Sequence, residues 1–353
     1  MKRLCALLLA ALLAAGITGC GTMDPDEAAE SIQVIAMDTA MIFTAYSANS
    51  TKATYAAEAE AYRLEAMLSR TEEESPVAQL NSQGAAAVDA ELWDLIETAL
   101  DYTAATDGAF DITVAPVLLA WGFTTDEYRV PSQAELDALL PLVGPEHVRS
   151  LGENGDGTVT VELDPGTQID LGAIGKGYAS DRVAAIFREY EIPRGLLRLG
   201  GSVLAIGDRP DGAAWRVGIQ DPKDPDSADA FAAVLNLTDA YAVTSGSYQR
   251  YFEQDGKTYH HIIDPATGYP AESGLTSVTI VTDGADGNGT LCDALSTALF
   301  VMGEEKALDF WRSGVYDFQM VLVTEDDRVV FTDGLTDVLT EIEDNGYTYE
   351  TVS

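Results

Sequence analysis

The segment Asp170 to Arg182 reads D-L-G-A-I-G-K-G-Y-A-S-D-R, with a strand-like lead-in from Thr167 and a helical pattern that continues to about Tyr190. Gly172, Gly175 and Gly177 let the backbone turn tightly and approach a ligand without a Cβ in the way. Amides at a helix start favour an anion, and Lys176 adds a mobile positive charge among them. The spacing from Gly172 to Lys176 does not fit the Walker pattern. Read alone, the segment is either a phosphate cradle or a tight strand-to-helix turn carrying a surface lysine.

Three other stretches carry polar groups with a possible task. Asp293 and Thr297 stand four apart on a predicted helix, so their oxygens share one face. A carboxylate and a hydroxyl, joined by backbone carbonyls, make an oxygen set suited to Mg²⁺ or Ca²⁺. Otherwise they are a dipole partner and a back-bonded threonine. The sequence disfavours zinc, because Cys292 has no thiolate or histidine partner at ligand spacing. His260 and His261 lie in a predicted strand from Thr258 to Ile263 and face opposite sides, so they are no adjacent metal pair. One of them can enter a site as a proton shuttle while the other faces out. Asp264 to Gly268 is turn chemistry that shapes the loop. In Gly108 to Phe123, Asp111 and Thr113 sit in an apolar run with Trp121 and Phe123. This is either a pocket for a flat heteroaromatic ligand or a capped helix start before Pro116.

The elements that must position these groups change character along the chain. Strand character around Met41 to Tyr46 precedes a helix from Ser50 to Ser69, with Tyr55, Ala59, Tyr62 and Ala66 at packing spacing. A second helix runs from Asp89 to Thr106, with Leu92, Leu95, Ile96, Ala99 and Leu100 inward. A third starts at Ser132 with a capping box to Glu135. From residue 158 strands dominate, interrupted by helices over 290–302 and 304–313, before a hairpin of Phe318–Val323 and Val329–Thr332. Clustered helices followed by many strands predict an α+β fold rather than βαβ alternation, in one continuous domain.

The 353 residues are 46% hydrophobic with a formal net charge of −38. That charge excludes nucleic acid as a partner and disfavours adhesion to anionic lipid. Any phosphate ligand therefore needs local compensation. Residues 1–19 read as a signal peptide too short to span a membrane. The tetrad Ile17-Thr18-Gly19-Cys20 resembles a bacterial lipobox, so Cys20 is the expected lipidated residue of a mature chain carrying −40. A polar tether over 20–32 follows. Cys5 leaves with the signal and Cys20 is acylated, so Cys292 has no disulfide partner.

These stretches together resemble the ApbE family of FAD:protein FMN transferases, from about Gln33 to about Gly334. The resemblance rests on Met37-Asp38-Thr39, Leu68-Ser69 through Ser75 to Asn81, Gly108 to Pro116 with Trp121-Gly122-Phe123, and Asp170 to Arg182. Leu199 to Ser202, Thr244-Ser245-Gly246, His261 to Gly268 and Asp293 to Thr297 complete it. It implies a single T-fold-like domain over 33–347, largely antiparallel sheets flanked by helices. It implies FAD as substrate, transfer of FMN to a Thr or Ser hydroxyl of an exported acceptor with an FMN-binding-type domain, and release of AMP. Met37, Ala109, Phe110, Asp111, Asp170, Lys176 and Ile262 match flavin-nucleotide contacts. The Ala173 carbonyl, Asp293 and Thr297 match the Mg²⁺ ligands and His261 the general base, and Lys176 joins the metal in neutralising charge at the pyrophosphate. Thr71 stands where members often have a stacking aromatic, and Arg198 where many have Asn. The expected location is the extracytoplasmic face of a bacterial membrane. An FAD pyrophosphatase and a non-catalytic flavin-binding lipoprotein are the alternatives.

Overall fold

The computed structural model describes residues 29–125 and 127–353, so the signal segment and Cys20 lie outside the described residues. Two strands, β1 (Ala29–Ala36) and β2 (Thr39–Tyr46), form a hairpin whose turn residues Met37 and Asp38 have φ of 52° and 57°. Two consecutive left-handed residues are the signature of a tight type I′ turn. The helix α1 (Ser50–Leu68) follows. Its buried face is Ala53, Ala57, Ala61 and Leu64, whereas Tyr55 and Tyr62 are exposed. This reverses the face read from the sequence. Alanines let α1 lie close to both the sheet and a neighbouring helix, which tyrosines would hold away.

A small layer then forms from α2 (Pro76–Gln83), β3 (Ala85–Asp89), α3 (Ala90–Ala105), α4 (Ala115–Trp121), α5 (Gln133–Leu139), β4 (Val148–Glu153) and β5 (Thr158–Leu163). Ser75 and Ser132 cap α2 and α5 through their side chains, and Asp89 caps α3. The sequence reading passes over α2, β3 and β4, which are short and alanine-rich or largely exposed. Residues 167–171 are not a strand. They are held as a loop by Asn81, which clasps both the amide and the carbonyl of Ile169.

The remaining elements are α6 (Gly175–Glu189), β6 (Arg194–Leu199), β7 (Ser202–Ile206), β8 (Trp215–Gln220), β9 (Phe231–Leu237), β10 (Ala240–Gly246), β11 (Tyr251–Gln254) and β12 (Lys257–His260). After them come β13 (Leu275–Asp283), α7 (Asn288–Met302), α8 (Glu304–Arg312), β14 (Gln319–Thr324), β15 (Arg328–Thr332), β16 (Leu339–Thr340) and β17 (Thr348–Val352). A nine-stranded sheet, β1-β2-β6-β7-β10-β13-β14-β15-β17, is antiparallel except at its last pair. One face buries α1, α6 and α7 in the larger apolar core. The other is covered by the three-stranded sheet β16-β9-β8, with Trp215, Val217 and Ile219 packed between the layers. The α+β architecture is as expected. Its limits differ, because paired strands begin at Ala29 and end at Val352, outside 33–347 at both ends. The last strand is polar and mostly exposed, which leaves little hydrophobic signal.

Candidate active site

One cleft of about 1570 Å³ runs along the α6–α7 end of the large sheet. It is lined by Met37, Ala109, Phe110, Asp111, Asp170, Ala173, Lys176, His261, Ile262, Asp293 and Thr297, all the site residues expected from the sequence within the described region. Five of the chain's 20 basic residues line it against seven of its 58 acids, so the cleft is far less acidic than the whole. That is the local compensation an anionic ligand needs.

Helices α6 and α7 cross at a point where both are glycine. A Cβ on Gly177 would lie 2.2 Å from the Gly289 carbonyl oxygen, and one on Gly289 would lie 2.7 Å from that of Gly177. Each helix also caps the other. Asp293 of α7 accepts the Gly177 amide at 2.8 Å, while Asp181 of α6 accepts the Gly289 and Thr290 amides at 2.9 and 2.8 Å. Carboxylates at helix starts satisfy unpaired amides and oppose the dipole. Burial raises the Asp181 pKa, and these hydrogen bonds oppose the rise. Gly177 therefore serves helix contact rather than ligand access, and part of the predicted anion cradle is filled by the protein's own carboxylate.

That lock fixes Asp293. Its side chain is 4% exposed, with Oδ2 committed to Gly177, and Oδ1 lies 3.9 Å from the Lys176 ammonium. Among the described residues Oδ1 accepts no hydrogen bond. Lys176 also donates to the Gly172 carbonyl at 3.0 Å. Thr297, one turn further along α7, is 3.2 Å from the hydroxyl of Ser245, which is itself 2.8 Å from Ser296. A buried carboxylate oxygen without a donor, beside a fixed hydroxyl, is a donor set that fits a hard divalent cation. No cluster of three His, Cys, Asp or Glu side chains occurs among the described residues. A cation here would rely on Asp293, Thr297 and the carbonyl of Ala173.

His261 sits just beyond β12, in a bend. Its Nδ1 lies 3.1 Å from the Arg250 carbonyl oxygen. A carbonyl can only accept, so Nδ1 carries the proton and Nε2 keeps its lone pair. Burial pushes the pKa down to about 3, and the charges of Arg250 and Lys176 act in the same direction. The imidazole is thus neutral and base-competent at pH 7. His260 does not face out to solvent. Its Nε2 is 3.2 Å from the Ala271 carbonyl oxygen, its Nδ1 accepts the Ile262 amide, and its ring meets Phe300 edge-on.

On the opposite wall, Asp170 is paired with Arg70 at 3.1 Å and accepts the Gly172 amide. Asp111 accepts both the amide and the hydroxyl of Thr113, at 2.7 and 2.6 Å, and burial raises its pKa. It is a cap and a cleft residue at once. Trp121 is not a ligand platform. It is fully buried, stacked on Phe123 and tilted against Tyr259, with its indole N–H given to the Gly268 carbonyl at 2.7 Å. Phe123 reaches the cleft and backs His261 edge-on.

A family model for the ApbE family matches residues 37–322. This chain belongs to the ApbE family. It is 38% identical over 221 residues to the FAD:protein FMN transferase of Escherichia coli K12, covering 62% of this chain and 61% of that protein. It therefore spans about three fifths of that relative's length. It is 35% identical over 289 residues to the FAD:protein FMN transferase of Treponema pallidum, covering 77% of each. The crystal structure of the ApbE protein of Thermotoga maritima superposes with a TM-score of 0.75 at 34% identity, covering 90% of this chain and 97% of that one.

As an ApbE-family chain, this protein has site residues that sequence reasoning did not single out. Ser245 orients Thr297, and its only signal is the Thr244-Ser245-Gly246 match. Asp181 positions α7 across more than 100 residues of sequence, so no local spacing reveals it. Met37, which the sequence did single out, holds a strained left-handed conformation in its turn, with its amide given to Glu65 at 2.9 Å. Its side chain reaches α6, where a Cβ on Gly175 would lie 3.1 Å from Met37 Cε. Left-handed backbone at a non-glycine residue costs roughly 1–3 kcal/mol and persists where the surroundings enforce it.

Proposed function

We propose that this chain transfers FMN from FAD to a Thr or Ser hydroxyl of an exported acceptor protein, releasing AMP. The observation that carries the reading is the convergence in one cleft of Asp293, Thr297 and Lys176 with the free Nε2 of His261. Relatives that share 35–38% identity are named for this activity. The cleft exceeds the roughly 300–1,000 Å³ of an ordinary ligand pocket, which suits a dinucleotide together with a segment of a second protein.

Lys176 holds the diphosphate and offsets the charge that develops on the departing AMP. Asp293, Thr297 and the Ala173 carbonyl would hold Mg²⁺, which when bound supplies further charge neutralisation at the diphosphate. His261 Nε2 takes the acceptor hydroxyl proton as that oxygen bonds to the FMN-side phosphorus and the anhydride bond to AMP breaks. A diphosphate beside the ring favours the imidazolium and lifts its pKa during the step. Met37, Phe110, Asp111, Asp170 and Ile262 shape the flavin-nucleotide side.

Residues 1–19 act as the signal and Cys20 as the lipid anchor, which place the enzyme at the outer face of the membrane. Incubation of the mature chain with Mg²⁺, FAD and an FMN-binding-type acceptor domain is expected to give AMP and an acceptor that stays yellow after denaturation. AMP without labelled acceptor would move the reading to a pyrophosphatase. Neither product would leave a flavin binder. Cys20→Ser should shift the protein from the membrane to the soluble fraction.

A further inference from the structure

Residues of β6 and β8 also line the cleft, and the nucleotide chemistry does not use them. Strand β6 alternates, with Leu197 and Leu199 buried in the helix-side core and Leu196 packed toward the three-stranded sheet. Arg198 shares the Leu196 face and is exposed there. In the same cleft, β8 is the edge of its sheet, with Trp215, Val217 and Ile219 turned inward and Arg216 outward. Both arginines line the cleft, and among the described residues neither makes an ion pair or a side-chain hydrogen bond. Asp226, which lines the same end, pairs with neither. In a chain of net charge −38, two free guanidinium groups flanking one strand edge are an unusual concentration of unspent positive charge.

The strand edge itself is open among the described residues, where β8 pairs only with β9. At Gly218 an added Cβ would lie 2.4 Å from the Phe231 ring, so that ring lies across the strand and lines the cleft. An exposed edge takes an extended segment through main-chain hydrogen bonds, and alternate side chains of that segment then face opposite sides. One set would face Arg198 and the other Arg216. Guanidinium groups favour bidentate carboxylates.

We propose that β8, flanked by Arg198 and Arg216, is the docking edge for an extended acidic segment of the acceptor protein, which leads its hydroxyl residue into the cleft. This rests on the transfer reading above, because it assigns the second partner of the same cleft. Lys176, Asp293 and Thr297 hold the diphosphate from α6 and α7, so the two sites use different elements.

The test uses Arg198→Glu and Arg216→Glu, with Lys306→Glu on α8 as a variant of equal charge change. FAD affinity is read by quenching of flavin fluorescence. Affinity for an FMN-binding-type acceptor domain is read by titration without FAD, and the acceptor KM by labelling. We expect each arginine variant to weaken acceptor affinity and raise its KM at least 10-fold, with FAD affinity unchanged and Lys306→Glu like wild type. Added salt should weaken wild-type acceptor binding and barely alter that of the variants. Loss of FAD affinity with an intact acceptor KM would return the arginines to the nucleotide site and overturn the proposal. Acceptor binding that is absent in wild type, or as strong in the arginine variants as in Lys306→Glu, would overturn it too. Salt-sensitive acceptor binding without flavin transfer would sink the transfer reading and leave the docking edge standing.

Discussion

His261 owes its basicity to one carbonyl and its neutrality to burial. Its folded pKa lies below the unfolded value, so below about pH 6.5 the unfolded chain takes up a proton that the native ring refuses. Stability from this group therefore falls as pH drops toward about 3 and is unaffected above neutrality. His261→Gln should flatten the slope of unfolding free energy against pH between roughly 4 and 6.5, as measured by urea titration at each pH. The same variant should lose about 10²–10⁴-fold in transfer rate, and an unchanged rate would assign the base elsewhere. Asp293 carries two tasks, a cap on Gly177 and an oxygen aimed at the cleft. Asp293→Ala should abolish turnover, by at least about 10²–10³-fold. Retained activity would remove the metal assignment. That Asp293 and Thr297 share a helix face was legible from their spacing. That Ser245 fixes Thr297 was not, because 52 residues separate them.

At the scale of elements, α6 and α7 behave as one unit. Their glycine crossing permits the reciprocal caps, and the caps hold Lys176 and Asp293 at the same end of the cleft. Gly177→Ala must push the helices apart, because the obstructing atom is backbone rather than a flexible side chain. A cost of about 1–3 kcal/mol in stability is expected, with turnover falling further than stability alone explains. Calorimetry and initial rates on the same sample check both. Asp181→Asn keeps the shape and one acceptor while removing the charge, and should cost about 1 kcal/mol with a smaller loss of rate. The sequence places helices here but misassigns what the glycines do, since a glycine needed for helix contact and one needed for ligand access look alike. The face of α1 fails for a related reason. Tyrosines and alanines both recur at helical spacing, and only the close neighbours α6 and β1 select the alanines.

For the whole molecule, a net charge of −38 sets a repulsive background that the fold tolerates. Screening should relieve it, so raising NaCl from 10 to 300 mM should raise the thermal midpoint. A midpoint that falls with salt would mean that ion pairs such as Arg328 with Glu304 outweigh the repulsion. The carboxyl end closes the large sheet, where β17 runs parallel to β15, and Glu350 pairs with Arg328. Deleting residues 348–353 should lower the midpoint by several degrees and leave FAD affinity intact, because the cleft lies toward the other end of the strand order.

By itself the sequence determined the class of fold, the order of the principal elements and eleven of the residues that line the cleft. Glycine loops, capping residues and alternating strands are local signals, and the family pattern is spread along one dimension. The tertiary structure decided what each group can do. It assigned the lone pair of His261, committed half of Asp293 to a helix amide, and moved Trp121 from ligand platform to core. It also left Arg198 and Arg216 without partners among the described residues, beside an open strand edge. Each of these depends on which distant atom fills a donor or covers a face, and chain folding sets that without reference to sequence spacing.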